Sequence, residues 1–107
     1  MLNEALAAAK KALSLAPENP AILDTVGWVQ YKRKQPADAL AHFQKAATLA
    51  ASDRNLQASI LFHSALASEA LGRPKEATDT VQKVLAISND FSEAADAKAL
   101  LKRLDGR

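Results

Sequence analysis

Proton-transfer chemistry in this sequence would have to start from His42 and His63, its two histidines. They are not spaced as a metal-binding pair, and no acidic cluster joins them. The serines within apolar segments, Ser14, Ser59, Ser64 and Ser68, show no nucleophile elbow, and no glycine-rich phosphate loop is present. There is no cysteine, which excludes thiol catalysis, cysteine metal sites and disulfides and leaves the redox compartment open. Carboxylates such as Asp79, Asp90 and Glu93 read as capping or surface groups. The sequence therefore points to no catalytic residue, no metal and no cofactor.

Recognition is the chemistry that remains. Trp28 and Tyr31 are the single tryptophan and the single tyrosine. Together with Asp24 they fall at i, i+4 and i+7, so on a helix all three share one face. Trp and Tyr are the side chains most enriched in binding hot spots. Charge gives no competing signal: the net charge is +2, spread along the chain with no basic patch of the kind a nucleic-acid surface shows. The basic triplet Lys32-Arg33-Lys34 reads as cations complementing the negative end of a helix. No apolar run approaches the ~20 residues of a membrane span, and the first residues, with Glu4, Lys10 and Lys11, do not resemble a signal peptide. Cytoplasmic and periplasmic settings are both compatible.

The elements that must position these residues are helices. Hydrophobic residues make up 49% of the chain and aromatics 5%, so the apolar content is mostly Ala and Leu, both good helix formers. Leu2, Ala5, Leu6, Ala9, Ala12 and Leu13 follow helical spacing until Pro17-Glu18-Asn19-Pro20 breaks it. Asn19 is a fitting N-cap and Pro20 a fitting first residue for a helix to about Lys34. Gln35-Pro36 opens a third helix to about Ala50. Ser52 or Asp53 can cap a fourth, about Arg54 to Leu71. Gly72-Arg73-Pro74 forms a turn into a fifth, about Pro74 to Ile87. The loop Ser88-Asn89-Asp90 leads to a sixth, about Phe91 to Leu104, and the tail Asp105-Gly106-Arg107 is expected to fray.

These helices repeat. Laying Ala39 over Ala77, an offset of 38 residues, places Leu23 on Leu61, Gly27 on Ala65, Lys34 on Gly72, Phe43 on Val81 and Leu49 on Ile87. Laying Ala5 over Ala39, an offset of 34 residues, places Ala9 on Phe43, Ala12 on Ala46 and Leu15 on Leu49. A helix–turn–helix unit of about 34 residues with small residues at the helix contacts resembles the tetratricopeptide repeat, or TPR. The run Leu23 to Trp28 and the closing Asp90-Phe91-Ser92-Glu93-Ala94 look like the C-terminal repeats of long bacterial tandem-TPR proteins. The resemblance implies an all-α, TPR-like α-solenoid of about six antiparallel helices. Residues 1–18 would be the second helix of a truncated repeat, 20–53 and 54–90 full repeats, and 91–105 a capping helix. The pattern is broken at Gln30, Ser64 and Ser68. Gly27 costs about 1 kcal/mol relative to Ala in a helix interior, so close approach to Ala39 or Ala46 is expected there.

In that family the first helix of each repeat lines a concave surface. The resemblance assigns Leu23, Val26, Gly27 and Gln30, and likewise Leu61, Ala65 and Ser68, to the core. The neighbouring stripes then face the groove, giving a floor of Trp28, Tyr31, Phe62 and Leu66 with Asp24, Lys32, His63 and Glu69 at its edges; the alternative is that Trp28, Tyr31 and Phe62 pack against a neighbouring helix as ordinary core. Such a floor argues against a carboxylate-gripping site and for an apolar or amphipathic partner segment, such as a helix laid in the groove. The alternative is a structural segment that self-associates or stacks on further repeats. Terminal repeats need polar caps. Asp96, Lys98, Lys102 and Arg103 supply one at the C-terminal end. At the other end Leu2, Leu6, Ala9 and Leu13 are expected to lose part of their cover and to offer a self-association face.

Overall fold

The computed structural model describes Met1–Gly106; Arg107 lies outside the described residues. The chain is all-α, with helices α1 (Leu2–Leu15), α2 (Pro20–Lys32), α3 (Pro36–Leu49), α4 (Arg54–Ala70), α5 (Pro74–Ile87) and α6 (Ala94–Asp105). Each packs on its chain neighbours, and α2 also reaches α4. The principal extents are 39 × 29 × 18 Å.

The helix starts follow from local chemistry. The Asn19 Oδ1 accepts from the Ile22 amide at 3.2 Å and the Asp53 Oδ1 from the Leu56 amide at 3.1 Å. Each satisfies one of the amides that a first turn leaves unbonded. Pro20, Pro36 and Pro74 each open a helix, where a missing N–H costs nothing. The ends of α2 and α4 share one device. The Gln35 amide donates back to the Gln30 carbonyl at 2.9 Å and the Arg73 amide to the Ser68 carbonyl at 3.0 Å. This paired closure requires a left-handed residue, supplied by Gly72 at φ 74° and, one repeat earlier, by Lys34 at φ 62°. Helix α2 consequently ends at Lys32, before the expected Lys34.

The sixth helix begins at Ala94, three residues later than the apolar spacing predicts. Phe91 is only 5% exposed, inserted into the C-terminal core. The carboxylate of Glu93, at the N-cap position, is turned to other partners and makes no capping bond. At the other end Asp105 is helical rather than frayed.

The core runs along the stack. Phe43, Leu23, Ala39 and Ala46 between α2 and α3 join Ile60 and Ala67 of α4. Val81, Val84, Ala97 and Leu100 continue it to α6. Gly27 is matched to Phe43 rather than to Ala39 or Ala46: a Cβ built on it would lie 2.6 Å from the Phe43 ring. Among the described residues, no buried side-chain polar atom lacks a partner. Gln30, which departs from the repeat pattern, accepts at Oε1 from His42 Nδ1 at 2.7 Å.

The face expected to be open on α1 is partly covered. Leu6 and Ala9 are 8% and 7% exposed, packed with Val26 of α2, and Leu13 is half-buried. One helix neighbour suffices for them. Exposed apolar surface on α1 instead includes Leu2 and Leu15, at 42% and 81%. Asp96, Lys98, Lys102 and Arg103 are all exposed on α6, as expected of a polar end. No described helix is long and apolar enough to cross a membrane.

Candidate functional site

The stripe on α2 and the facing side of α4 meet, with α6 completing the face. Asp24, Trp28 and Tyr31 project from α2 and are half-buried. The Trp28 and Tyr31 rings stack with centroids 5.4 Å apart, within the range where aromatic pairs contribute beyond area burial. The Lys32 ammonium sits 5.0 Å from the Trp28 ring, close enough for a cation–π contact. Beside this stack, Tyr31, Lys32, Lys34, Pro36 and Ala70 line a cleft of about 480 Å³.

His63 lies beneath the stack. Its ring is 4.8 Å from the Trp28 ring and 5.6 Å from the Phe43 ring, centroid to centroid. Nδ1 is 2.7 Å from Asp24 Oδ1 and Nε2 is 2.9 Å from Glu93 Oε2. Ser59 donates to the other oxygen of Glu93. Burial alone would lower the pKa of His63, but the hydrogen bonds and charges of Asp24 and Glu93 outweigh it, and the pKa stands above the usual 6.5. The chain Ser59–Glu93–His63–Asp24 holds a serine, a histidine and acids, yet in the wrong order for acyl transfer. The serine hydroxyl is bonded to a carboxylate, and both imidazole nitrogens are taken by acids, so the histidine is not placed as base to the serine.

Farther along the face, Glu69 of α4 accepts from Arg103 of α6 through Nε at 3.0 Å and Nη2 at 2.7 Å. This fork geometry is the strong form of the pair, though Arg103 is half exposed and water screens it.

Two expected placements need correction. Phe62 is no part of a floor: it is 5% exposed and packs with Phe91, Ala94 and Val81 in the C-terminal core. His63, expected at the groove edge, is instead buried at the centre of the face. Both errors have one cause. The stripe displaced by one residue stays half-buried on α2, which packs on α1, α3 and α4, but α4 packs on α2, α3 and α5 and also bonds to α6 and its N-cap. Leu66 is half-buried against the same core as Phe62. Glu93, Ser59 and Arg103 carried no signal in the sequence, because their partners lie 30 or more residues away. Among the described residues, no group of three or more His, Asp or Glu is arranged to hold a metal. No protein-family model matches the chain, and no match is found among curated proteins.

Proposed function

We propose that this chain is a non-catalytic protein–protein interaction scaffold of the tetratricopeptide type. It takes an apolar or amphipathic partner segment along the face made by α2, α4 and α6, the concave side of such an array. The observation that carries this reading is the half-buried stack of Trp28 on Tyr31, topped by Lys32, at the rim of the cleft of about 480 Å³. Rigid aromatic anchors beside a cleft are what binding hot spots require. The acids of the face already hold His63 and Arg103, while Lys32 and Lys34 line the cleft. The favoured partner segment therefore sets an acidic residue beside its apolar ones.

A displayed library of short amphipathic peptides, selected on the folded chain and titrated against Trp28 emission, tests the proposal. Tyr31→Ala and Lys32→Ala should each weaken the winning peptides roughly tenfold, the loss of one hot-spot contact of about 1–2 kcal/mol. Winners indifferent to both changes, or no winners, would overturn it.

The exposure of Leu2 and Leu15 on α1 favours a second reading. In it the segment self-associates or stacks on further repeats without a peptide ligand of its own. Light scattering after size exclusion over a concentration series distinguishes it. A mass that grows with concentration and reverts to monomer in Leu15→Glu supports association through α1.

A further inference from the structure

We infer that His63 is a proton-dependent clasp, closing the entry of α6 and helix α2 onto α4 as an imidazolium and letting go of one arm when neutral. The two distances carry the argument. Both ring nitrogens face carboxylate oxygens, at 2.7 Å and 2.9 Å. A carboxylate accepts and cannot donate, so both nitrogens must carry hydrogen. A neutral imidazole has one N–H, and its other nitrogen would hold a lone pair against a carboxylate at hydrogen-bond distance. The observed arrangement therefore belongs to the charged ring, which sits among three aromatic rings, Trp28, Phe43 and Phe62.

The groups facing the clasp come from three elements. Helix α2 supplies Asp24, and Lys32 through its contact with Trp28. Helix α4 supplies Ser59, through Glu93. The N-cap of α6 supplies Glu93. The next charged pair on the face is Glu69 with Arg103. With the imidazolium the trio of Asp24, His63 and Glu93 carries one net negative charge; with neutral His63 it carries two. Glu93 is the arm that opens. It is the more exposed of the two carboxylates, at 27% against 18%, it stands on an irregular turn, and it keeps Ser59 as a partner. What loosens is the first turn of α6. Phe91, Leu100 and Leu104 hold the rest in the core.

Because the folded-state pKa is raised above 6.5, the clasp is fully closed below about pH 6.5 and is lost as pH rises through the folded value. The trigger works above pH 6.5.

The test is a two-dimensional proton–nitrogen NMR titration of the imidazole resonances, with Trp28 emission followed in parallel. Trp28 is the only tryptophan and its ring lies on His63. His63 should titrate with a midpoint above 6.5, Trp28 emission should change with the same midpoint, and hydrogen exchange around residues 91–97 should quicken beyond its intrinsic pH trend. Glu93→Gln keeps the shape and removes one charge, so the midpoint should fall. His63→Gln should abolish the Trp28 transition. A midpoint at or below 6.5, or a Trp28 transition that survives His63→Gln, would overturn the inference. If His63→Gln does not fold, an unmoved midpoint in Glu93→Gln does the same.

Discussion

Substituting Ala for Gly27 sets two effects of opposite sign against each other. In an exposed helix the change would stabilise by about 1 kcal/mol. Here the new Cβ would sit 2.6 Å from Cε1, 2.8 Å from Cδ1 and 3.1 Å from Cζ of Phe43. Ordinary contact begins near 3.4 Å, so the ring must retreat by a large fraction of an ångström. It cannot swing into solvent, being 0% exposed, and the His63 ring lies 5.6 Å away, centroid to centroid. Overpacking of this kind costs about 1–3 kcal/mol, which exceeds the helix gain in most of its range. The expected net loss is about 1 kcal/mol, a fall in Tm of roughly 4–8 °C for a domain of this size. Thermal and urea unfolding followed by circular dichroism measure it. Phe43→Leu in the same chain should relieve the clash, so the double variant should lose less than the sum of the two single losses. A Gly27→Ala protein as stable as the parent would refute ring-on-glycine packing as what sets the α2–α3 distance.

Four further outcomes follow from single observations. Lys34→Gly should stabilise by about 0.5–1 kcal/mol, because the left-handed strain it relieves exceeds the entropy that glycine adds to the unfolded chain. Gly72→Ala, with nothing within 4 Å of the new methyl but φ at 74°, should cost about 1 kcal/mol through the backbone alone; urea midpoints report both. Asp53→Ala removes the cap on α4 and should cost about 1 kcal/mol in the same assay. Stability should fall as pH rises from about 6.5 through the raised His63 value, and that slope should flatten in His63→Gln.

Most of the fold was legible because it is set locally. Proline at the first helical position, Asn19 and Asp53 as caps and glycine at a helix end act within a few residues of where they are read. The ends that differ have two causes: Phe91 drawn into the core delays α6, and a left-handed turn at Lys34, where no glycine signals it, shortens α2. The site was legible only in part. Spacing placed Asp24, Trp28 and Tyr31 on one face, because they ride on a single helix. It could not place His63, whose position depends on three helices, nor find Glu93, 30 residues downstream of it. Likewise Leu6 and Ala9 looked uncovered from the repeat pattern, although α2 alone buries them.

The proposal that the α2–α4–α6 face receives a partner is met most directly by mapping amide shifts of the labelled chain on addition of a peptide selected against it. The expected perturbations gather at Trp28 to Lys34 and at Leu66 to Ala70. Perturbations gathered instead around the opposite cleft, at Gln44, Thr48, Gln57, Thr80 and Lys83, would contradict it.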